Sequence, residues 1–334
     1  MPEIKQPIPI NVRFNSPTPK KSKIGLIIFI IVAIFLLSVG VFIYLKFFQK
    51  IQNQEGDETK NNVSVEQKFS SRDDINGPYY HSIFTATSED SLNWTKDRQQ
   101  IFKHASSPGA VVKNEIIYVY FVDASGSEDQ LSVGISYDQG QTFFKKTVTI
   151  EGVPKYDVVD PAPVSVDDII YLYYLGDHMS EANNQERIYT IYQAQSFDGV
   201  NFDPPEKVYS DSAQINNPDV FITDKDWRLM VSRGKTFDLA ILNDQSNMFK
   251  KDISFPWFSG ASSCTIENNN EFQTYYHDQG SISVATGAEK GEMEFLKTVL
   301  SSNNANQILD FPSVIELQDN SYLMFYTIKE ATED

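Results

Sequence analysis

Four segments of this chain align on a proline: "SPGAVVKNEIIYVYF" from Ser107, "DPAPVSVDDIIYLYY" from Asp160, "NPDVFITDKDWRLMV" from Asn217 and "FPSVIELQDNSYLMF" from Phe311. Ten residues after the proline stands Tyr118, Tyr171, Arg228 or Tyr322. A fifth copy, "SSCTIENNNEFQTYY" from Ser262, has Ser263 where the others have proline. Proline in a sheet is confined to edges, bulges or the first strand residue, so each copy reads as a strand entrance. Successive copies begin 45 to 57 residues apart. That is the period of a four-stranded propeller blade.

The second half of each unit repeats as well. "SYDQGQTF" (Ser136 to Phe143) and "SFDGVNF" (Ser196 to Phe202) resemble the Asp-box, S-x-D-x-G-x-x-[FW]. "NDQSNMF" from Asn243 and "TGAEKGEMEF" from Thr286 hold equivalent places in weaker form. In such a turn the aspartate bonds its own backbone and the aromatic packs between sheets, so Asp138 and Asp198 are expected to be structural. "YYHSIFTATSEDSLNW" (Tyr79 to Trp94) looks like a third strand, turn and fourth strand, yet it precedes the first proline. The last unit ends after two strands. Joining the chain ends completes one blade and removes the open edges. The expected fold is all-β, a closed five-bladed propeller over residues 77–334.

Strand order then assigns the faces. First strands enter, and second strands leave, on one face; the Asp-box turns lie on the other. The entrances offer Ser107, Asp160, Asn217, Ser262 and Asp310. The exits offer Asp123, Asp177 with His178, Arg233, and His277 with Asp278. The candidate ligand-binding set is Ser107, Asp160, Asn217, Arg233, Ser262, His178, His277 and Asp310. Tyr173, Tyr275 and Phe325 read as inter-blade core. Trp227 and Trp257, beside polar turns, suit either sugar stacking or burial.

Upstream, Ile24 to Leu45 is an uncharged apolar run of 22 residues, about the ~20 that cross a bilayer as a helix. No A-x-A cleavage pattern follows it. Residues 1–23 carry net +4 and the whole chain -17, so the remainder holds -21. With Lys20, Lys21 and Lys23 before the span, residues 1–23 are expected in the cytoplasm and the propeller outside. Residues 46–76, polar and charged, read as a flexible stalk. An outer domain this acidic disfavours nucleic acid as a partner. Cys264 is the single cysteine, so no intrachain disulfide forms.

Five blades, "DP" at a strand entrance and "NPDVFITDKDWRLMVSRG" together resemble the five-bladed propeller glycosidases, the family 43 arabinanases and xylosidases and the related invertase group. The Asp-boxes resemble those of sialidases. The family 43 pattern implies a base aspartate at the first entrance, an auxiliary aspartate at the third and an acid glutamate at the fourth. Here those positions hold Ser107, Asn217 and the carboxylate-free stretch Gly260 to Ile266. Glycoside hydrolysis ordinarily needs two carboxyl groups. The resemblance therefore implies a propeller that binds carbohydrate or a glycoconjugate without cleaving it, and the apolar run makes it membrane-anchored. The alternatives are an active exo-glycosidase using Asp160 and Asp310, and a surface protein-interaction scaffold. Related propellers hold a cation on the axis, which the resemblance would set among His178, His277, Asp160 and Asp310. No His/Asp spacing marks a metal site, and no cofactor is expected.

Overall fold

Second strands such as "IIYVYFV" are apolar almost without interruption, the pattern of a strand covered on both faces. A computed structural model describes residues 71–176 and 188–330, apart from positions 225, 244, 257, 269, 270, 303 and 305. The expected membrane span and most of the stalk lie outside these residues, as do Asp177, His178 and Trp257.

The strands run β1 (His81–Ser88), β2 (Thr95–Lys103), β3 (Ala105–Lys113), β4 (Ile116–Asp123), β5 (Gln130–Ser136), β6 (Phe144–Thr147), β7 (Thr149–Ile150) and β8 (Val159–Val166). They continue with β9 (Ile169–Gly176), β10 (Tyr189–Ser196), β11 (Asn201–Phe202), β12 (Glu206–Asp211), β13 (Asn216–Ile222), β14 (Trp227–Arg233) and β15 (Thr236–Asn243). The last are β16 (Met248–Phe255), β17 (Ala261–Asn268), β18 (Glu271–Asp278), β19 (Ser281–Thr286), β20 (Glu294–Leu300), β21 (Gln307–Glu316) and β22 (Tyr322–Glu330).

Five antiparallel sheets of four strands result. Blade one is β3-β4-β5-β6, blade two β8-β9-β10-β12, blade three β13-β14-β15-β16 and blade four β17-β18-β19-β20. Blade five is β21-β22-β1-β2. Its N-terminal β1 pairs with the C-terminal β22 from His81↔Lys329 to Ser88↔Tyr322. This is the closure expected from the misplaced fragment. The first strands β3, β8, β13, β17 and β21 lie each against the next in a closed ring. A parallel pairing of β7 with β11 ties the end of blade one to the Asp-box of blade two.

The core lies between the blades. Tyr173, Tyr275 and Phe325 are buried there, as expected. The Asp-box turns of the first three blades each send an aromatic side chain into the preceding blade. Phe143 meets Phe325 with centroids 5.9 Å apart, Phe202 meets Tyr120 at 5.9 Å, and Phe249 meets Tyr173 at 6.0 Å. The closing blade follows the same rule through Trp94, edge-on to Tyr275 at 5.8 Å. Its turn makes the hydrogen bonds of an Asp-box, which the sequence alone did not show. Asp90 Oδ1 accepts the Leu92 and Asn93 amides, and Ser88 Oγ donates to it at 3.1 Å. Blade four departs from the rule. Phe295 is exposed, and Met293 fills the gap against blade three instead.

Candidate functional site

Every first strand carries the same irregularity at its entrance. The ladder slips by one residue between Ser106 and Gly109, Val159 and Ala162, Asn216 and Asp219, Ala261 and Cys264, and Asp310 and Ser313. A β-bulge of this kind admits one extra residue, often in the left-handed region. The five residues there are Ser107, Asp160, Asn217, Ser262 and Phe311, with φ between 50° and 52°. The proline, or Ser263, comes next. The repeated proline therefore marks the residue after a bulge.

One sequence expectation changes here. The fifth ring position is Phe311, and Asp310 stands one residue outside it. Asp310 is buried, and its Oδ1 accepts the Phe311 amide at 2.8 Å and lies 3.7 Å from His277 Nδ1. The offset arose because the fifth copy has an acid just before an apolar bulge residue.

Four of the five bulge residues join in a polar chain. Ser107 Oγ donates to Asp160 Oδ1 at 3.2 Å, and the Asn217 amide N–H donates to Asp160 Oδ2 at 3.1 Å. The side-chain amide orientation that satisfies both neighbours sets Asn217 Nδ2 3.2 Å from Asp160 Oδ2, while its oxygen accepts from Ser262 Oγ at 3.1 Å. Asp160 thus gathers donors from blades one and three, and the apolar Phe311 interrupts the ring. A small mouth of about 40 Å³ lies over these residues. It has room for two or three water-sized groups.

Among the described second-strand exits, Asp123, Arg233 and His277 are committed to other partners. Arg233 pairs with Asp211 and, at 2.5 Å through Nε, with Asp238. Asp238 also takes Lys251 at 2.9 Å and Ser254 at 2.7 Å. Burial pushes the Asp238 carboxyl up, and its Ser254, Lys251 and Arg233 partners bring it below the usual range. Asp123 behaves alike, with Lys145 and Ser125 outweighing burial, and it also accepts from Ser132 Oγ at 3.0 Å. His277 places Nδ1 2.8 Å from the Leu309 carbonyl. Trp227 is half-buried and packs on Tyr171 and Tyr173, 5.6 and 6.4 Å away, in the seam between blades two and three. Among the described residues, no three His, Cys, Asp or Glu side chains come together in a way that could hold a metal ion.

Below the bulges a second pattern appears. At three of the five seams the residue after the proline, or after Ser263, turns toward the next blade and accepts a backbone amide from it. Asp219 Oδ1 accepts the Thr265 N–H at 3.1 Å, Cys264 Sγ the Val314 N–H at 3.2 Å, and Ser313 Oγ the Ala110 N–H at 2.8 Å. At the seam of blades one and two the acceptor position holds Gly109, which has no side chain, and the donor position holds Pro163, which has no N–H. A Cβ on Gly109 would fall 2.0 Å from the Pro161 carbonyl oxygen and 2.7 Å from Pro163 Cδ. The seam of blades two and three also lacks the side-chain acceptor, since Ala162 stands at that position. Sequence reasoning missed Asp219, although an acid inside the apolar run "PDVFI" was a signal. Burial pushes its carboxyl up to about 6, against the Thr265 hydrogen bonds that lower it.

Comparison with solved structures gives the fold a context. The GH43 protein BlXynB of Bacillus licheniformis superposes with a TM-score of 0.55 at 11% identity, over 74% of this chain and 50% of that one. The GH43_1 enzyme of Xanthomonas citri, solved with xylotriose, gives 0.50 at 12%, over 68% of this chain and 86% of that one. The shared feature is the five-bladed fold. This chain spans about half the length of the Bacillus protein. A family 117 glycoside hydrolase of Zobellia galactanivorans aligns at 13% identity with a TM-score of 0.46, over 80% of this chain and 91% of that one. No protein-family model and no curated protein matches this sequence. The resemblance read from the repeats is thus a likeness to glycoside hydrolase propellers in architecture, and the roles of individual residues rest on the site geometry.

Proposed function

We propose that this chain is a glycosidase-like propeller that recognises a neutral carbohydrate or glycoconjugate at its entrance-face mouth and does not cleave it. The observation that carries the reading is the bulge ring itself. It presents Ser107, Asp160, Asn217, Ser262 and Phe311, with one carboxylate among them. Hydrolysis with either stereochemical outcome asks for two carboxyl groups across the scissile bond, one of them protonated. An amide and two hydroxyls provide neither a general acid nor a base of suitable pKa. They do provide donors and acceptors that suit sugar hydroxyls. A mouth of about 40 Å³ takes a hydroxyl or two from a sugar whose ring lies above it. The solved likeness with bound xylotriose makes neutral oligosaccharides the first ligands to try.

The exo-glycosidase reading needs Asp310 as the second acid. Its Oδ1 is held by the Phe311 amide, and the residue does not line the mouth. On the favoured reading, Ile24–Leu45 anchors the chain and residues 46–76 carry the propeller outside, a disposition that protease protection in sealed vesicles tests. The functional test is an assay of the full chain on a panel of aryl-glycosides. No turnover is expected. Hydrolysis that disappears in Asp160→Asn overturns the reading.

A further inference from the structure

Behind the prolines lies a second and larger space. Pro108, Pro161, Pro218, Ser263 and Pro312 line both it and the mouth, forming a collar between them. The inner chamber measures about 340 Å³, within the range of small-molecule sites. Its wall is largely apolar, with Val111, Val164, Val220, Ile222, Val314 and Ile315 among the lining residues. The carboxylates in that lining are Asp219, buried near the collar, and Glu316, exposed at the far end of β21. No lysine, arginine or histidine is among the described residues that line it.

Asp219 is more than a structural acceptor requires. Cys264 and Ser313 do the same inter-blade task with neutral side chains. Thr265 supplies two donors to Asp219, its N–H at 3.1 Å and its Oγ1 at 2.7 Å. A carboxylate has about four lone-pair directions, so about half remain for another partner. Beside it Ser263 Oγ is buried and lies near enough to help hold the Asp219 carboxyl down, yet it completes no hydrogen bond of ordinary geometry. A buried negative charge without a cation is costly, and removing that cost is a source of binding energy. A divalent metal asks for six or more oxygen ligands or a set of carboxylates, which this wall does not supply. An apolar wall with one acid and one hydroxyl suits an amphiphilic amine.

We propose that the axial chamber is a binding site for a small organic cation, a primary alkylammonium whose charged head sits between Asp219 and Ser263 and whose tail follows the Val and Ile wall. The reading is independent of carbohydrate at the mouth. It assigns the net charge of -17 a second role, drawing cations toward the axis.

The test is calorimetric titration of the full chain with n-butylammonium chloride at pH 7.5, beside n-butanol and an Asp219→Asn variant. One saturable site is expected, at least tenfold weaker for n-butanol and for Asp219→Asn. Should that variant fail to fold, the wild type at pH 4.5 serves in its place, because Asp219 is then protonated. Cys264, the titratable group beside Asp219, is pushed by burial up to about 12 and stays neutral throughout. The same loss of affinity is expected at pH 4.5. Absence of saturation, equal binding of n-butanol, or affinity unchanged by both Asp219→Asn and acidification overturns the proposal.

Discussion

Ser107 Oγ donates to Asp160 Oδ1 at 3.2 Å, joining two bulge residues from adjacent blades. Asp160 is the acceptor on which the mouth is organised, since Asn217 donates to it from the other side. Replacing it with alanine leaves those donors without their partner, at a cost of about 1–3 kcal/mol. Asp160→Asn keeps the shape and should lose less. Urea unfolding of the two variants measures the difference, and equal losses would show that the ring does not depend on the carboxylate.

Asp219 gives a pH signature of definite sign. Its folded pKa is raised from 3.8 to about 6, so between these values the folded state holds more protons than the unfolded chain. Stability therefore falls as pH rises through that window and levels off above about 6. The change is on the order of 3 kcal/mol. Asp219→Asn should remove this slope and be more stable than the wild type at pH 7. Unfolding free energies at pH 4.5, 6 and 7.5 test it, and parallel curves for the two proteins would contradict it.

The inter-blade aromatic rule separates Phe202 from Phe295. Phe202 is buried against Tyr120, whereas Phe295 is 58% exposed. Phe202→Ala should cost about 3–5 kcal/mol, and Phe295→Ala should stay within about 0.5 kcal/mol. Thermal unfolding of both variants checks the contrast.

Gly109 has no space for a side chain. Gly109→Ala drives a methyl into the Pro161 carbonyl and the Pro163 ring, and a loss of at least about 1–3 kcal/mol is expected. A neutral result in chemical denaturation would mean that the seam of blades one and two relaxes freely.

Much of this architecture was legible beforehand, for identifiable reasons. Proline marks a bulge because its missing N–H suits the residue after it, so Pro108, Pro161, Pro218 and Pro312 set the register of four blades. Ser136-Tyr137-Asp138 and Ser196-Phe197-Asp198 announced Asp-boxes because their bonds are local. Burial hardly affects Asp138, and its hydrogen bonds from Thr142 and Ser136 hold it down to about 2. The box at Ser88 to Trp94 reads in sequence only as a strand–turn–strand; it lacks the glycine of the pattern, and it lies ahead of the first proline, outside the run of repeats. The site was less legible. Phe311 and Asp310 differ by one position, and only the ladder slip between Asp310 and Ser313 shows which one occupies the bulge. Asp219 acts on Thr265, 46 residues away, and no local pattern encodes that distance. Arg233 is a candidate ligand-binding residue in sequence, but it pairs with Asp238 of the adjacent β15 and Asp211 at the end of β12 in blade two.

The central claim is that the mouth binds intact sugar. A crystal structure of the chain soaked in mixed neutral oligosaccharides, xylotriose among them, tests it most directly. The account predicts a sugar seated over Ser107, Asp160, Asn217 and Ser262 with every glycosidic bond unbroken. Cleaved sugar at that mouth, or sugar bound only elsewhere on the propeller, would contradict it.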